Sequence, residues 1–363
     1  MTDPPVALAH DSQRFDGHRL HCLSWAAALA ASGTTSRLYT CVDPSLGARY
    51  EVDGTAIVGR RVPLGGTLEM GVNRWGGVFA RRLERIPESP LHVNSIHLAG
   101  ATRRRRDVVV TIADLAKRTT RYYPRGSSWV HNRLLSYLPR AAAVVTLSEW
   151  VRQDVARVTG YPLDRIVAAP PPPRVEVRAE PADRAPPSVD HPWTLLYIAT
   201  DRPHKNVRGF LEILARSDRR FVGEYIGAAT PATRAYAHQL GLDSRLTVRR
   251  EVADIGAVYD RAAILLFPSR YEGFGLPLLE AMARGVPVVS SNATCLPEVV
   301  GGAGPLLSPD DRAGWDDAID RLTDPDVYRL AQLAALERSR TFTAERAAGG
   351  LRRAYALAER GRR

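Results

Sequence analysis

Five consecutive residues, Val108-Val109-Val110-Thr111-Ile112, limit the fold more than any other stretch of the chain. β-branched side chains suit a pleated strand, and the lack of polar alternation means that both faces of the strand are covered. Sheets covered on both faces are mostly parallel, with helices as their crossovers. The neighbouring sequence keeps that rhythm. Val6-Ala7-Leu8-Ala9 reads as a first buried strand, and the Ala- and Leu-rich stretch from Cys22 to Ala31 as a helix stopped by Gly33. A second apolar run lies within 141–147. Ser148 then caps a helix over 149–158 that ends near Gly160. Strand then helix, repeated, is the pattern of a parallel α/β domain.

Pro170, Pro171, Pro172 and Pro173 break the rhythm, and Pro181, Pro186, Pro187 and Pro192 follow among charges. Such a stretch can be neither helix nor inner strand, so 171–192 is read as an extended linker. It divides the 363 residues into a first domain, 1–170, and a second, 193–342, in line with the usual size of domains. In the second domain strands are expected at 194–198, 221–226, 246–248, 263–267 and 286–290. Helices are expected at 207–216, 230–240, 255–261 and 276–284. The Ala- and Arg-rich segment 343–363 is read as a C-terminal helix.

Several function classes drop out on composition. Cys22, Cys41 and Cys295 are odd in number and far apart, which fits neither a disulfide framework nor a zinc site. No stretch approaches the ~20 apolar residues of a membrane span. Met1-Thr2-Asp3-Pro4-Pro5 lacks the basic-then-apolar order of a secretory signal, so a cytoplasmic protein is expected. The net charge is +11, and residues 1–180 hold 25 Lys and Arg against 16 Asp and Glu. Nucleic acid, an anionic membrane surface or a phosphorylated acceptor would each suit that bias. No nucleic-acid-binding motif is present, so nucleic acid is not an expected partner. Arg103, Arg104, Arg105 and Arg106 leave the inner face of a membrane as a candidate contact, against a plainly solvated arginine surface. Lysine occurs only at Lys117 and Lys205. A compact ammonium enters phosphate pockets that a planar guanidinium does not fit, which makes both positions candidates.

The chemistry concentrates in Phe267-Pro268-Ser269-Arg270-Tyr271-Glu272-Gly273-Phe274-Gly275-Leu276-Pro277-Leu278-Leu279-Glu280. A strand runs into a loop with two glycines, and a helix starts at once, with Pro277 where a first turn tolerates it. A helix N-terminus at the carboxyl end of a parallel strand offers unpaired N–H groups to an anion, and Gly273 and Gly275 let a phosphate approach the backbone. Glu272 and Glu280 would repel that phosphate, so they are read as facing sugar hydroxyls.

This segment resembles the E-x7-E signature of retaining GT-B glycosyltransferases of family 4. The likeness extends through Tyr259-Asp260-Arg261-Ala262-Ala263, Glu280-Ala281-Met282-Ala283-Arg284-Gly285-Val286-Pro287, Pro297-Glu298-Val299-Val300-Gly301-Gly302-Ala303, Leu147-Ser148-Glu149-Trp150 and Asp164-Arg165-Ile166. The resemblance implies two Rossmann-like parallel-sheet domains facing each other across a cleft, with the C-terminal helix crossing back to the first domain. It also implies transfer of a sugar from a nucleotide diphosphate to a glycan, lipid-linked or small-molecule acceptor, with retention, without a metal and without a cofactor. Position by position, Glu280 would hold the ribose. Glu272 and the amides of Gly273, Phe274, Gly275 and Leu276 would hold the transferred sugar and diphosphate. Lys205, with Arg202 before it, would neutralise the departing diphosphate. Gly17, after His10-Asp11 and Asp16, matches a glycine near the donor. Ala113-Asp114-Leu115 stands where many relatives carry His-Asp, so Ala113, Asp114 and Lys117 are candidates on the acceptor side. The loss of that histidine points to a 6-deoxyhexose or otherwise modified donor, against an ordinary, mannose-like hexose if another group does the same work. Two alternatives stay open: a nucleotide-sugar epimerase of the same fold, and a catalytically silent binding subunit.

Overall fold

The computed structural model describes residues 6–10, 17–40, 55–59, 83–87, 89–123 and 125–360. Asp11, Asp16 and Cys41, named above, lie outside them. The chain forms two compact units: Met1–Pro172 with Phe342–Arg363, and Pro173–Thr341.

Among the described residues, the first unit has seven parallel strands: β1 (Val6–His10), β2 (Ser36–Thr40), β3 (Thr55–Gly59), β4 (Leu91–Val93), β5 (Val108–Ile112), β6 (Ala143–Thr146) and β7 (Ile166–Ala168). Their order is β3-β2-β1-β4-β5-β6-β7, with the chain reversing its direction of growth between β1 and β4. Every residue of β5 is buried, as its unbroken apolar run requires. Helices α1 (Gly17–Ala31), α2 (Ala116–Thr119), α3 (Arg125–Leu135) and α4 (Glu149–Thr159) lie in this unit. Ser148 caps α4 through its hydroxyl, which accepts from the Val151 amide at 3.2 Å, and Gly160 ends it at φ +70°. β4 was not legible in the sequence. It is three residues long and has a histidine at its centre.

Of the arginine tract, three members are tied to the fold. Arg105 pairs with Asp107 and donates to the Ile86 carbonyl at 2.9 Å; Arg103 lies over the Tyr137 ring; Arg104 is 3.7 Å from Glu84. None of the helices among the described residues is long and apolar enough to cross a membrane.

The second unit has six parallel strands: β8 (Trp193–Ile198), β9 (Phe221–Ile226), β10 (Leu246–Arg249), β11 (Ile264–Phe267), β12 (Val288–Ser291) and β13 (Leu306–Leu307). The order is β10-β9-β8-β11-β12-β13. Its helices are α5 (Val207–Arg216), α6 (Pro231–Gln239), α7 (Ile255–Arg261), α8 (Leu276–Ala283), α9 (Leu296–Val300), α10 (Arg312–Arg321) and α11 (Pro325–Ser339). Thr230 is the N-cap of α6 rather than its first residue, and β12 starts two residues later than expected, after Gly285 and Pro287. Residues 173–192 have no regular structure, as their prolines dictate, but they are no loose tether. The Arg178 amide donates to the Ala283 carbonyl at 2.9 Å, Arg284 to the Glu176 carbonyl at 3.1 Å, and Gln332 to the Ala182 carbonyl at 2.9 Å.

Helix α12 (Ala344–Arg360) follows the second unit in sequence and belongs to the first, where it packs on α1, β5, β6 and β7. The approach is close. A Cβ on Gly350 would sit 2.9 Å from the Ala169 methyl, so the helix can lie there only with a glycine at that point. Its Tyr355 joins a buried polar knot: His92 of β4 is 3.0 Å from the Tyr355 hydroxyl and 2.8 Å from Thr111 Oγ1, and its ring stacks on Trp25. His92 is fully buried, and burial pulls its pKa down to about 3, so the ring is neutral.

Candidate active site

In doubly wound sheets ligands gather beyond the carboxyl ends of the strands at which the order reverses. In the second unit those strands are β8 and β11, which are sheet neighbours. The loops that leave them contain Lys205 and Glu272. The two segments singled out from sequence, 62 or more residues apart, therefore emerge side by side. Three bonds join them. The Arg270 amide donates to the His204 carbonyl at 2.7 Å, Asn206 Nδ2 to the Pro268 carbonyl at 3.0 Å, and Lys205 Nζ lies 2.7 Å from Glu272 Oε2. The buried Tyr197 hydroxyl donates to the Lys205 carbonyl at 2.9 Å; burial raises the phenol pKa far above its usual value, so it stays a donor. Arg202, at the start of the 3₁₀ turn Pro203–Lys205, is exposed, and its carbonyl accepts from the Lys205 amide at 2.9 Å.

Glu272 is 6% exposed, and its backbone is fixed from the far side. Its amide donates to Thr294 Oγ1 at 3.0 Å, and its carbonyl accepts from the same hydroxyl at 3.0 Å and from Cys295 Sγ at 3.3 Å. Thr294 achieves this at φ +51°, a rare conformation for a β-branched residue that costs about 1–3 kcal/mol. Burial pushes the Cys295 thiol pKa well up, so the sulfur keeps its proton and donates. One carboxylate oxygen of Glu272 meets Lys205, while the other, Oε1, is buried without a partner. A buried acceptor in that condition is suited to an incoming hydroxyl.

Gly273, Phe274 and Leu276 are buried, and Gly275 turns the chain into α8 at φ +95°, ψ +50°. A Cβ there would also come 3.0 Å from Leu296 Cδ2. Gly275→Ala is therefore expected to destabilise the second unit by more than ~1 kcal/mol, measured as a lower urea midpoint. An unchanged midpoint would show that the left-handed turn is not required.

Glu280, one turn inside α8, is 1% exposed. Its Oε2 accepts from the Tyr259 hydroxyl at 2.8 Å, and its Oε1 lies 2.7 Å from Arg174 Nη2 in an ion pair that is not a well-directed hydrogen bond. Burial raises the Glu280 pKa, against the pull of Arg174 and Tyr259. Arg174 carried no signal in the sequence beyond ending a proline run. Tyr259 stood out only as part of a longer likeness.

In the first unit Gly17 opens α1 beyond the carboxyl end of β1. Ala113, 7% exposed, follows β5 directly; Asp114 Oδ1 accepts from the Ala116 amide at 2.8 Å; and Lys117 is half-buried in α2. A residue not read from sequence faces this group. His131 of α3 is 5% exposed, and neither ring nitrogen has a partner. Burial, with Lys117 next in effect, lowers its pKa to about 4.

The sequence profile of the family described as "Glycosyl transferases group 1" matches residues 192–324, most of the second unit. The chain is similar to the O-antigen chain mannosyltransferase B of Escherichia coli, 31% identical over 65% of this chain and 66% of that protein. It is also similar to the serotype-specific mannosyltransferase WbdA of Escherichia coli, 27% identical over 61% of this chain and 29% of that protein. The chain thus spans less than two thirds of either relative. Among solved structures, the sucrose-phosphate synthase of Thermosynechococcus elongatus superposes with a TM-score of 0.77 at 19% identity, over 97% of this chain and 98% of that one, which establishes the same fold. With two Rossmann-like parallel sheets the chain has the GT-B fold, and its second unit, with this signature loop at the reversal point, is that of the group 1 glycosyltransferases.

Proposed function

We propose that the protein is a retaining glycosyltransferase that takes a hexose from a nucleotide diphosphate. The observation that carries this reading is the meeting of Lys205, Glu272 and the N-terminus of α8 at the strand-order reversal. Glu272 Oε1 takes a sugar hydroxyl. Lys205 turns from Glu272 toward the diphosphate and, with the α8 N-terminus, stabilises the negative charge that grows there as the glycosidic bond breaks. The acceptor hydroxyl attacks from the leaving-group side and passes its proton to a phosphate oxygen. Charge neutralisation by these groups makes a metal unnecessary, and turnover is expected to survive EDTA.

The mannosyltransferase relatives favour mannose as the transferred sugar. A 6-deoxyhexose is the alternative, suggested by the alanine that stands at position 113 in place of histidine. A donor screen separates the two, with a preference of no more than ~10–200-fold expected from one hydroxyl. Glu280 is assigned the ribose hydroxyls. Glu280→Ala is expected to weaken GDP binding by about 1.5–3 kcal/mol in calorimetry while leaving the fold intact. Unchanged affinity, or no binding of GDP or UDP to the unaltered protein, would overturn the assignment.

A further inference from the structure

Glu280 cannot take a ligand as it stands. Its side chain is 2% exposed, its Oε2 is closed off by the fully buried Tyr259, and its Oε1 is held by Arg174. Arg174, with 27% of its side chain exposed, is the member of this trio that reaches solvent. A hydroxyl approaching the carboxylate arrives through the place the guanidinium holds.

The backbone beside Arg174 is anchored, because the Glu176 carbonyl accepts from Arg284 and the Arg178 amide is bonded to Ala283. Arg178 also pairs with Asp260 at 3.0 Å, and Arg284 with the same carboxylate at 2.7 Å. The exchange is therefore a swing of one long side chain and not a displacement of the segment.

We propose that Arg174 is a specificity-determining residue, competing with the vicinal hydroxyls of a nucleotide for Glu280 and so making the site select phosphorylated nucleosides over uncharged ones. The proposal rests on the reading of Glu280 as the ribose carboxylate. A neutral diol that displaces Arg174 strands a partly buried cation beside a buried carboxylate, so the exchange is unfavourable. A phosphate on the same ribose changes the sign. The freed guanidinium finds a second anion on the ligand itself, and its planar fork binds phosphate oxygens in pairs. Removing Arg174 should then help an uncharged nucleoside and not a nucleoside diphosphate.

The test is calorimetry with GDP and guanosine, and with UDP and uridine as a parallel pair, on the unaltered protein, Arg174→Gln, Arg174→Lys and Glu280→Ala. In Arg174→Gln the ratio of diphosphate to nucleoside affinity is expected to fall by about tenfold or more, with the nucleoside binding more tightly than to the unaltered protein. Arg174→Lys keeps a cation and should keep most of the ratio. A ratio unchanged in Arg174→Gln, or an equal loss for both ligands, would overturn the proposal and leave Arg174 as a plain support for Glu280. Binding indifferent to Glu280→Ala would instead overturn the reading of Glu280, so the two failures are distinguishable.

Discussion

Lys205→Ala is expected to lower kcat by about 10²–10³ while KM changes little. The charge that Lys205 meets is small in the bound donor and large in the transition state, and losing one such donor group typically costs that much. The substitution has a second effect. It leaves Glu272 as a buried carboxylate with neither oxygen compensated, which should cost about 3 kcal/mol of stability, the low end for buried pairs because Lys205 is 23% exposed at its side chain. Two further variants separate these effects. Lys205→Met with Glu272→Gln removes both charges and should regain much of the stability but none of the turnover. Lys205→Arg can still pair with Glu272 and should be stable, yet its planar fork should not restore full turnover in a place shaped for a compact ammonium. Turnover of Lys205→Ala within about threefold of the unaltered enzyme, measured by product release at saturating donor, would remove Lys205 from the chemistry.

The second large effect is acid sensitivity of the first unit. His92 and His131 are held neutral in the fold, with pKa values pulled down to about 3 and about 4, whereas an unfolded histidine titrates near ~6.5. A depressed histidine pKa means that the unfolded chain binds the proton first. The stability is intact above ~6.5 and falls as the pH drops below it, until the folded values are reached. Each group contributes about 1.4 kcal/mol per pH unit in that window, so from pH 6.5 to 4.5 the pair should remove roughly 5 kcal/mol. Hydrogen exchange followed at each pH, with peptides from the two units compared, gives the measurement. Loss of protection in β4 and α12 ahead of β8 and β11 is the expected result. His131 offers the cleaner variant, because its ring nitrogens have no partner to lose. His131→Leu should halve the acid slope and leave neutral-pH stability unchanged or higher. A slope unaffected by His131→Leu would show that this ring is not held neutral.

How far the sequence foretold these features depends on the range of the physics behind each. The signature loop was legible because its demands are local. Gly275 answers a positive φ, Pro277 a first helical turn, and the apolar run before them a strand. Lys205 was legible through composition, since a chain that uses arginine almost everywhere keeps lysine in two places. β5 was legible because a strand buried on both faces has no polar position to offer. β4 and β13, three and two residues long, carry no period to read. Arg174 was beyond reach for a different cause. A long arginine can meet any acid in a wide radius, and its meeting with Glu280, 106 residues on, is decided by where the proline segment is laid on the second unit. The same holds for Thr294, whose left-handed backbone serves Glu272 and answers no rule of its own neighbourhood.

The return of α12 to the first unit also orders events on the ribosome. The second unit is one continuous segment, Pro173–Thr341, and can close as soon as it has emerged. The first unit is translated earlier but waits for Ala344–Arg360, with the far side of β6 and β7 uncovered and His92 lacking its tyrosine until Tyr355 arrives. At about 5–20 residues per second that interval is roughly 10–40 s. For that time an apolar sheet face stands open to chaperones and to neighbouring nascent chains, and the half of the protein made first is the half that matures last.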